Sequence, residues 1–270
     1  MNTLTKKSLI AAAFAATVGV ASTNAAAIVF PDFTVDATVY GAPATFVADK
    51  ITGNYNEWIS INSTGGFDVS ILWNAGQFAT NDGGTALNAG GPSGTRLGQT
   101  YGMYGLFQGS GYLTSFGSTT TFALTPGGSL GLYIDPNLDT GFVNPVPIQG
   151  QNPWTTTLSS DDVLIATGAG ISGSGTLNTS CSGGINCGSF GQTTDFILTV
   201  PDGTSFFTLP VPFYSLSFQS GQFNSFTPVG TQNINGSMDA VFGVPEPESL
   251  ALLGIGLLGL ALARRSRKQA

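Results

Sequence analysis

Histidine is absent from all 270 residues, which removes the commonest general base and the commonest transition-metal ligand. Positive charge is almost as scarce. Of the 8 Lys and Arg, Lys6, Lys7, Arg264, Arg265, Arg267 and Lys268 lie at the extreme ends. Between residues 28 and 243 only Lys50 and Arg96 remain against thirteen acidic residues, a formal charge of −11. Such a stretch repels nucleic acid, whose binding depends on Lys and Arg neutralising phosphates, and it repels anionic lipid for the same reason. Cysteine is limited to Cys181 and Cys187. Convincing 3.6-residue periodicity is missing everywhere but the two ends, which argues against a helical body. The low charge does not mean disorder, because 41% of residues are hydrophobic and 19 are Phe, enough to build a core.

What fills the middle is Gly, Thr, Ser, Asn and aromatic residues, the composition of an all-β extracellular protein. Alternation and β-branched content predict ten to twelve short strands. Among them are Phe33 to Val39, Glu57 to Ile61, Phe67 to Trp73, Met103 to Phe107, Ser129 to Ile134, Thr194 to Val200 and Ile234 to Phe242. Residues 74–98 read as a long Gly-rich loop. Pro201-Asp202-Gly203 reads as a turn, with Pro fixing φ and Gly tolerating a positive one. The favoured architecture is one β-sandwich-like domain over residues 28–243, flanked by an N-terminal signal helix and a C-terminal hydrophobic helix.

Residues 1–27 have the three parts of a secretory signal peptide: Lys6-Lys7, the apolar stretch Leu9 to Val20, and a cleavage site of small residues around Ala25 and Ala27. Residues 244–270 hold Val244-Pro245-Glu246-Pro247, an apolar run from Leu250 to Ala263 and the cluster Arg264-Arg265-Ser266-Arg267-Lys268. That apolar run would make a helix of about 21 Å at 1.5 Å per residue, whereas a full span needs roughly 20 residues. The basic tip would stay cytoplasmic by the positive-inside rule, and the prolines keep the stalk extended and accessible. The physical reading is a stop-transfer signal with a cleavable stalk, held only transiently in the inner membrane.

Cys181 and Cys187 flank a Gly/Ser/Asn loop. In an exported chain an even pair most simply forms one disulfide, with free thiols or metal binding as alternatives. Asp135, Asn137 and Asp139 place oxygens at alternate positions, as calcium loops do. However, Gly stands seventh and Val146 twelfth, where an EF-hand wants Gly sixth and Glu twelfth. A polar turn between strands is the simpler reading, and calcium is the only cofactor suggested. Asp161-Asp162 on an extended strand would point to opposite faces. Trp154 follows Asn152-Pro153 in a loop and is the tryptophan expected to be most exposed, a candidate for stacking on a sugar. Gly254-Ile-Gly256-Leu-Leu-Gly259 matches a dinucleotide-binding string but lacks the preceding strand and the following acid.

Pro245-Glu246-Pro247, the apolar run and the Arg cluster together resemble the PEP-CTERM sorting signal. The resemblance implies a substrate of an exosortase, a membrane protease that removes the tail, in a Gram-negative bacterium that makes exopolysaccharide. Further strings resemble the flocculation-associated PEP-CTERM proteins of floc-forming bacteria: Asp49-Lys-Ile-Thr-Gly-Asn-Tyr55, Leu72-Trp-Asn-Ala-Gly-Gln-Phe78, Gly183-Gly-Ile-Asn-Cys-Gly-Ser-Phe190, Pro212-Phe-Tyr-Ser-Leu-Ser-Phe-Gln-Ser-Gly221 and Asn235-Gly-Ser-Met-Asp-Ala-Val-Phe242. They imply a non-enzymatic protein of the cell surface or extracellular matrix that promotes floc or biofilm formation through extracellular polysaccharide. The alternatives are a carboxylate-dependent glycan hydrolase or lyase, whose two acids would stand about 5 to 9.5 Å apart, and a calcium-dependent adhesion module.

Overall fold

The computed structural model describes residues 30–181, 187–223 and 226–244. The signal peptide with Ala25 and Ala27, and the tail with Pro245, Glu246, Pro247, Arg264 and Arg265, lie outside the described residues. Among those described, no helix is long and apolar enough to cross a membrane.

The chain opens with β1 (Phe33–Val35), a 3-10 turn (Thr38–Tyr40) and β2 (Phe46–Ala48). Long strands follow: β3 (Lys50–Ile61), β4 (Gly66–Thr80) with the short β5 (Thr85–Ala86), and β6 (Gly102–Phe116). Next come β7 (Thr119–Leu124) and β8 (Gly127–Asp135), then β9 (Gly141–Val143) and β10 (Thr155–Thr157). After these run β11 (Val163–Asn178), β12 (Gly188–Asp195), β13 (Ile197–Leu198) and helix α1 (Asp202–Phe206). The last three strands are β14 (Phe207–Leu209), β15 (Leu216–Phe223) and β16 (Gly230–Gly243).

The long strands form a closed ring rather than two facing sheets. β3 pairs with β4, β4 with β6, and β6 with both β7 and β8. Both of these pair with β11, which pairs with β12; β12 pairs with β15, β15 with β16, and β16 returns to β3. Every pairing is antiparallel. β7 and β8 act as one strand interrupted at Thr125-Pro126, since β6 and β11 flank both halves. The result is an eight-position up-and-down barrel, and the expected sandwich is corrected accordingly. Closure gives each strand two partners and leaves no edge to protect.

Alternation decides which side chains enter the lumen. On β3 the buried residues are Ile51, Tyr55, Glu57 and Ile59; on β16 they include Ile234, Met238, Ala240 and Phe242. Between them, Thr52, Asn54, Asn56 and Ser60 face outward, as do Thr231, Asn233, Asn235 and Ser237. An apolar lumen under a hydroxyl- and amide-rich exterior reverses the polarity of a membrane-spanning barrel, whose outer face is apolar.

Inward glycines make room for the rings. Across the β4–β6 ladder, Phe67 lies opposite Gly111 and Trp73 opposite Gly105. A Cβ on Gly111 would run into the Phe67 ring, one on Gly175 into Phe223, and one on Gly221 into Phe190. The abundance of Gly and the abundance of Phe are therefore one packing solution.

One end of the barrel is plugged. The small sheet β14–β1–β2 and α1 cover it with aromatic rings. Phe242, at the end of β16, meets Phe33 at 5.1 Å, Phe196 at 4.7 Å and Phe207 at 5.5 Å between ring centroids. A strap, residues 136–162, crosses the outside over β4 and β6 and carries the β9–β10 hairpin.

Candidate functional site

Glu57 is the one acidic side chain that β3 directs into the lumen. It stands opposite Ile71 on β4 and Ile234 on β16 and is 5% exposed; its backbone carbonyl accepts from the Asn233 side-chain amide at 3.2 Å, while its carboxyl has no hydrogen bond to a described residue. Burial alone pushes its carboxyl up from 4.5 to about 8, because the charged form is poorly solvated there. The neighbouring Tyr55 hydroxyl donates to the Gln222 carbonyl at 2.9 Å. Burial raises the Tyr55 pKa, and Glu57 raises it further.

Glu57 borders a void of about 40 Å³ whose walls include Ile59, Val69, Ile71, Phe122 and Phe223, with Gln192 as a second polar contributor. A second void, also of about 40 Å³, lies toward the plugged end between Trp73, Phe107, Leu132 and Gln219. Ile71 and Gln192 belong to both walls. Gln219 donates through Nε2 to Ser217 at 2.7 Å and Thr194 at 3.1 Å, while its Oε1 is buried without a partner. The Glu57 carboxyl and the Gln219 Oε1 thus stand unanswered in a largely apolar lumen, where each carries a desolvation cost.

Glu57 was missed as a lumen residue because the strand was read as beginning there. Extending it back to Lys50 puts Glu57 in phase with Ile51, Tyr55 and Ile59. An acid at an inward position of an alternating strand is the signal that would have found it.

The other predicted residues fall elsewhere. Asp135 caps its own loop: Oδ1 accepts from the Asn137 and Asp139 amides at 3.2 and 3.4 Å, and Oδ2 from the Thr140 amide at 3.2 Å. Asn137 donates through Nδ2 to Asp161 at 2.6 Å. Asp162 accepts from the Tyr104 hydroxyl at 2.5 Å and from the Thr140 hydroxyl. These residues clasp the two ends of the strap. Among the described residues no group of three or more His, Cys, Asp or Glu could hold a metal.

Trp154 corrects an expectation. It is 6% exposed, packed with Leu72 and Tyr104 beneath the strap, and its indole N–H donates to the Ser70 carbonyl at 3.1 Å. The apolar outer faces of β4 and β6 needed a cover, and the ring after Asn152-Pro153 supplies it, so Trp154 has no free face for a sugar. Trp58, half-buried beside it, donates to Asn144 at 2.9 Å. Cys181 is half-buried and Cys187 buried near the unplugged end; nothing in the structure supports the bridge expected between them.

The outer surface offers different chemistry. Across β12, β15 and β16 a shallow groove is lined by Ser189, Ser220, Gln222, Ser237 and Asp239. Asp239 also meets Lys50 at 3.2 Å.

β16 ends at Gly243, paired with Leu216, and Val244 beyond it is exposed. Residues 243–268 match the PEP-CTERM protein-sorting motif. The match starts where the barrel's last strand stops, at the plugged end. The motif marks the chain as an exported, exosortase-processed protein of the Gram-negative cell surface. No curated protein and no solved structure matches the chain.

Proposed function

We propose that the protein acts without catalysis in the extracellular matrix or at the cell surface, promoting floc or biofilm formation by associating with extracellular polysaccharide. The observation that carries this reading is the exterior of β12, β15 and β16. There, Ser189, Ser220, Gln222 and Ser237 line a shallow groove whose charged side chain, Asp239, is paired with Lys50. Hydroxyls and amides both donate and accept, which suits the hydroxyls of a neutral glycan. The scarcity of Lys and Arg makes a polyanion a poor partner unless divalent ions bridge the two.

The carboxylates bear on the hydrolase alternative. Glu57 is only 5% exposed and sits among apolar lumen side chains, and Asp135 and Asp162 are occupied by donors within the strap clasp, a set that favours a non-enzymatic role.

Deleting the gene is expected to disperse flocs while polysaccharide is still made, and restoring it is expected to reverse this. Unchanged flocculation in the deletion strain would overturn the reading. A strain restored with Ser220→Lys and Ser237→Lys together should stay dispersed while the secreted barrel remains folded. Full recovery of flocs by that variant would move the contact surface off the groove.

A further inference from the structure

We infer that the lumen beside Glu57 is a binding site for a small neutral amphiphile, a short alkyl chain carrying one hydroxyl. This does not rest on the polysaccharide reading, which concerns the outer face.

Eight-stranded barrels have an interior just wide enough to be filled by side chains or to hold one small ligand. Here the filling is incomplete next to Glu57, a buried acid whose carboxyl has no hydrogen bond to a described residue. The void's walls are Ile, Val, Leu and Phe, with Gln192 as the nearest amide. Facing Glu57 are Ile71 from β4 and Ile234 from β16; Tyr55 is the titratable neighbour on its own strand. No Lys or Arg lines either void. A cationic ligand would have to be stripped of water for a single ion pair in apolar surroundings, which is costly.

With its carboxyl pushed up to about 8, Glu57 is a neutral acid at pH 7 that can both donate and accept. A hydroxyl does the same, so one alcohol oxygen can answer the acid with two hydrogen bonds. Its carbons then cover Ile59, Val69 and Ile71.

Size sets the limit on the chain. A void of about 40 Å³ exceeds the roughly 10–15 Å³ that a cavity needs to hold one water. Ile71 and Gln192 separate it from the second void, so a four-carbon chain has to displace Ile71 to occupy both. Until a ligand arrives, water on Glu57 is the natural occupant. An alcohol reproduces that water's bonds and adds apolar contact, the circumstance in which displacement is favourable.

The test uses the protein secreted by its host, labelled at Ile, Leu and Val methyls and titrated with 1-butanol at pH 7. Saturable shifts are expected at Ile59, Val69 and Ile71 and not at the exposed Val39, Val200 or Val211. Diethyl ether, an isomer of butanol that cannot donate, should bind several-fold more weakly. Glu57→Leu should weaken butanol about tenfold by removing the polar anchor, while Glu57→Gln should stay within about threefold because an amide also donates and accepts. Both variants replace a buried acid without a carboxyl partner and should keep the dispersed methyl spectrum of the folded barrel away from the void. The inference is overturned if the lumen methyls show no saturable shift, if ether binds as well as butanol, or if Glu57→Leu binds butanol as well as the wild type. The ether comparison needs no variant.

Discussion

The two halves of the barrel lumen use the same rings to different effect. At the plugged end Phe33, Phe196, Phe207, Phe213 and Phe242 meet mostly edge to face, with centroids 4.7 to 6.4 Å apart, and the unpartnered polar atom beside them is a neutral one, the buried Tyr101 hydroxyl near Phe206. At the other end Phe67, Phe122, Phe190 and Phe223 also pack together, yet they surround a void and a carboxyl with no partner. Packing alone closes the first half. In the second half the same packing stops one residue short, at Glu57, and that residue adds nothing to packing that Leu would not add better. A buried acid tolerated in this way points to something other than stability.

The largest expected effect separates the halves by pH. Glu57 has a folded pKa of about 8 against its ordinary 4.5, so the folded state holds a proton that the unfolded chain releases between these values. Its contribution is therefore fully present below pH 4.5, is lost as pH rises toward 8, and is constant beyond. At about 1.36 kcal/mol per pKa unit the loss is on the order of 5 kcal/mol. Urea unfolding of wild type and Glu57→Gln should diverge across this window, with the variant the more stable at pH 8. Parallel curves would mean that Glu57 is answered by a partner after all.

Next in size is Phe242→Ala, which removes the ring touched by Phe33, Phe196 and Phe207 and should cost about 3–5 kcal/mol. Phe226→Ala should cost less than half of that. Its half-buried ring belongs to the loop before β16 and closes only the outer side of the void, against Phe122 at 6.0 Å and Phe223 at 5.9 Å. Equal losses by denaturant unfolding would erase the distinction between a packed end and an incompletely filled one.

Much of this arrangement was legible in the sequence, but not evenly. Strands rich in aromatic and β-branched residues, such as Phe67 to Trp73 and Ile234 to Phe242, stood out because both faces obey the alternation. The second half of β11 and all of β12 up to Thr194 did not, because Gly173, Gly175 and Gly188 occupy inward positions and read as loop. Their strand character comes from rings on neighbouring strands filling the space that a side chain would take, which no local window contains. Barrel closure was hidden for a related reason: the β16–β3 seam joins residues far apart in sequence. Trp154 was misplaced because a Pro-containing loop is normally exposed, whereas this one is a strap over an apolar patch on β4 and β6. The sorting motif was readable in full because a signal for a protease must be carried by local sequence.

The smallest expected effect tests whether charge helps to close the plugged end. Lys50 and Asp239 meet at 3.2 Å across the β3–β16 seam, with side chains 16% and 38% exposed. In a chain with so few cations it is tempting to assign this pair a structural role. A partly exposed ion pair, however, typically contributes about 0–1 kcal/mol and weakens with salt. The seam already has a continuous antiparallel ladder from Ile51 to Ile61, with Phe242 locking its end. Asp239→Asn should therefore lower stability by less than about 1 kcal/mol in low salt, and the difference should vanish near 0.5 M salt as the Debye length shrinks. A loss approaching that of Phe242→Ala would show the ring's closure depending on the Lys50 cation. The plugged end would then no longer be a case of packing alone.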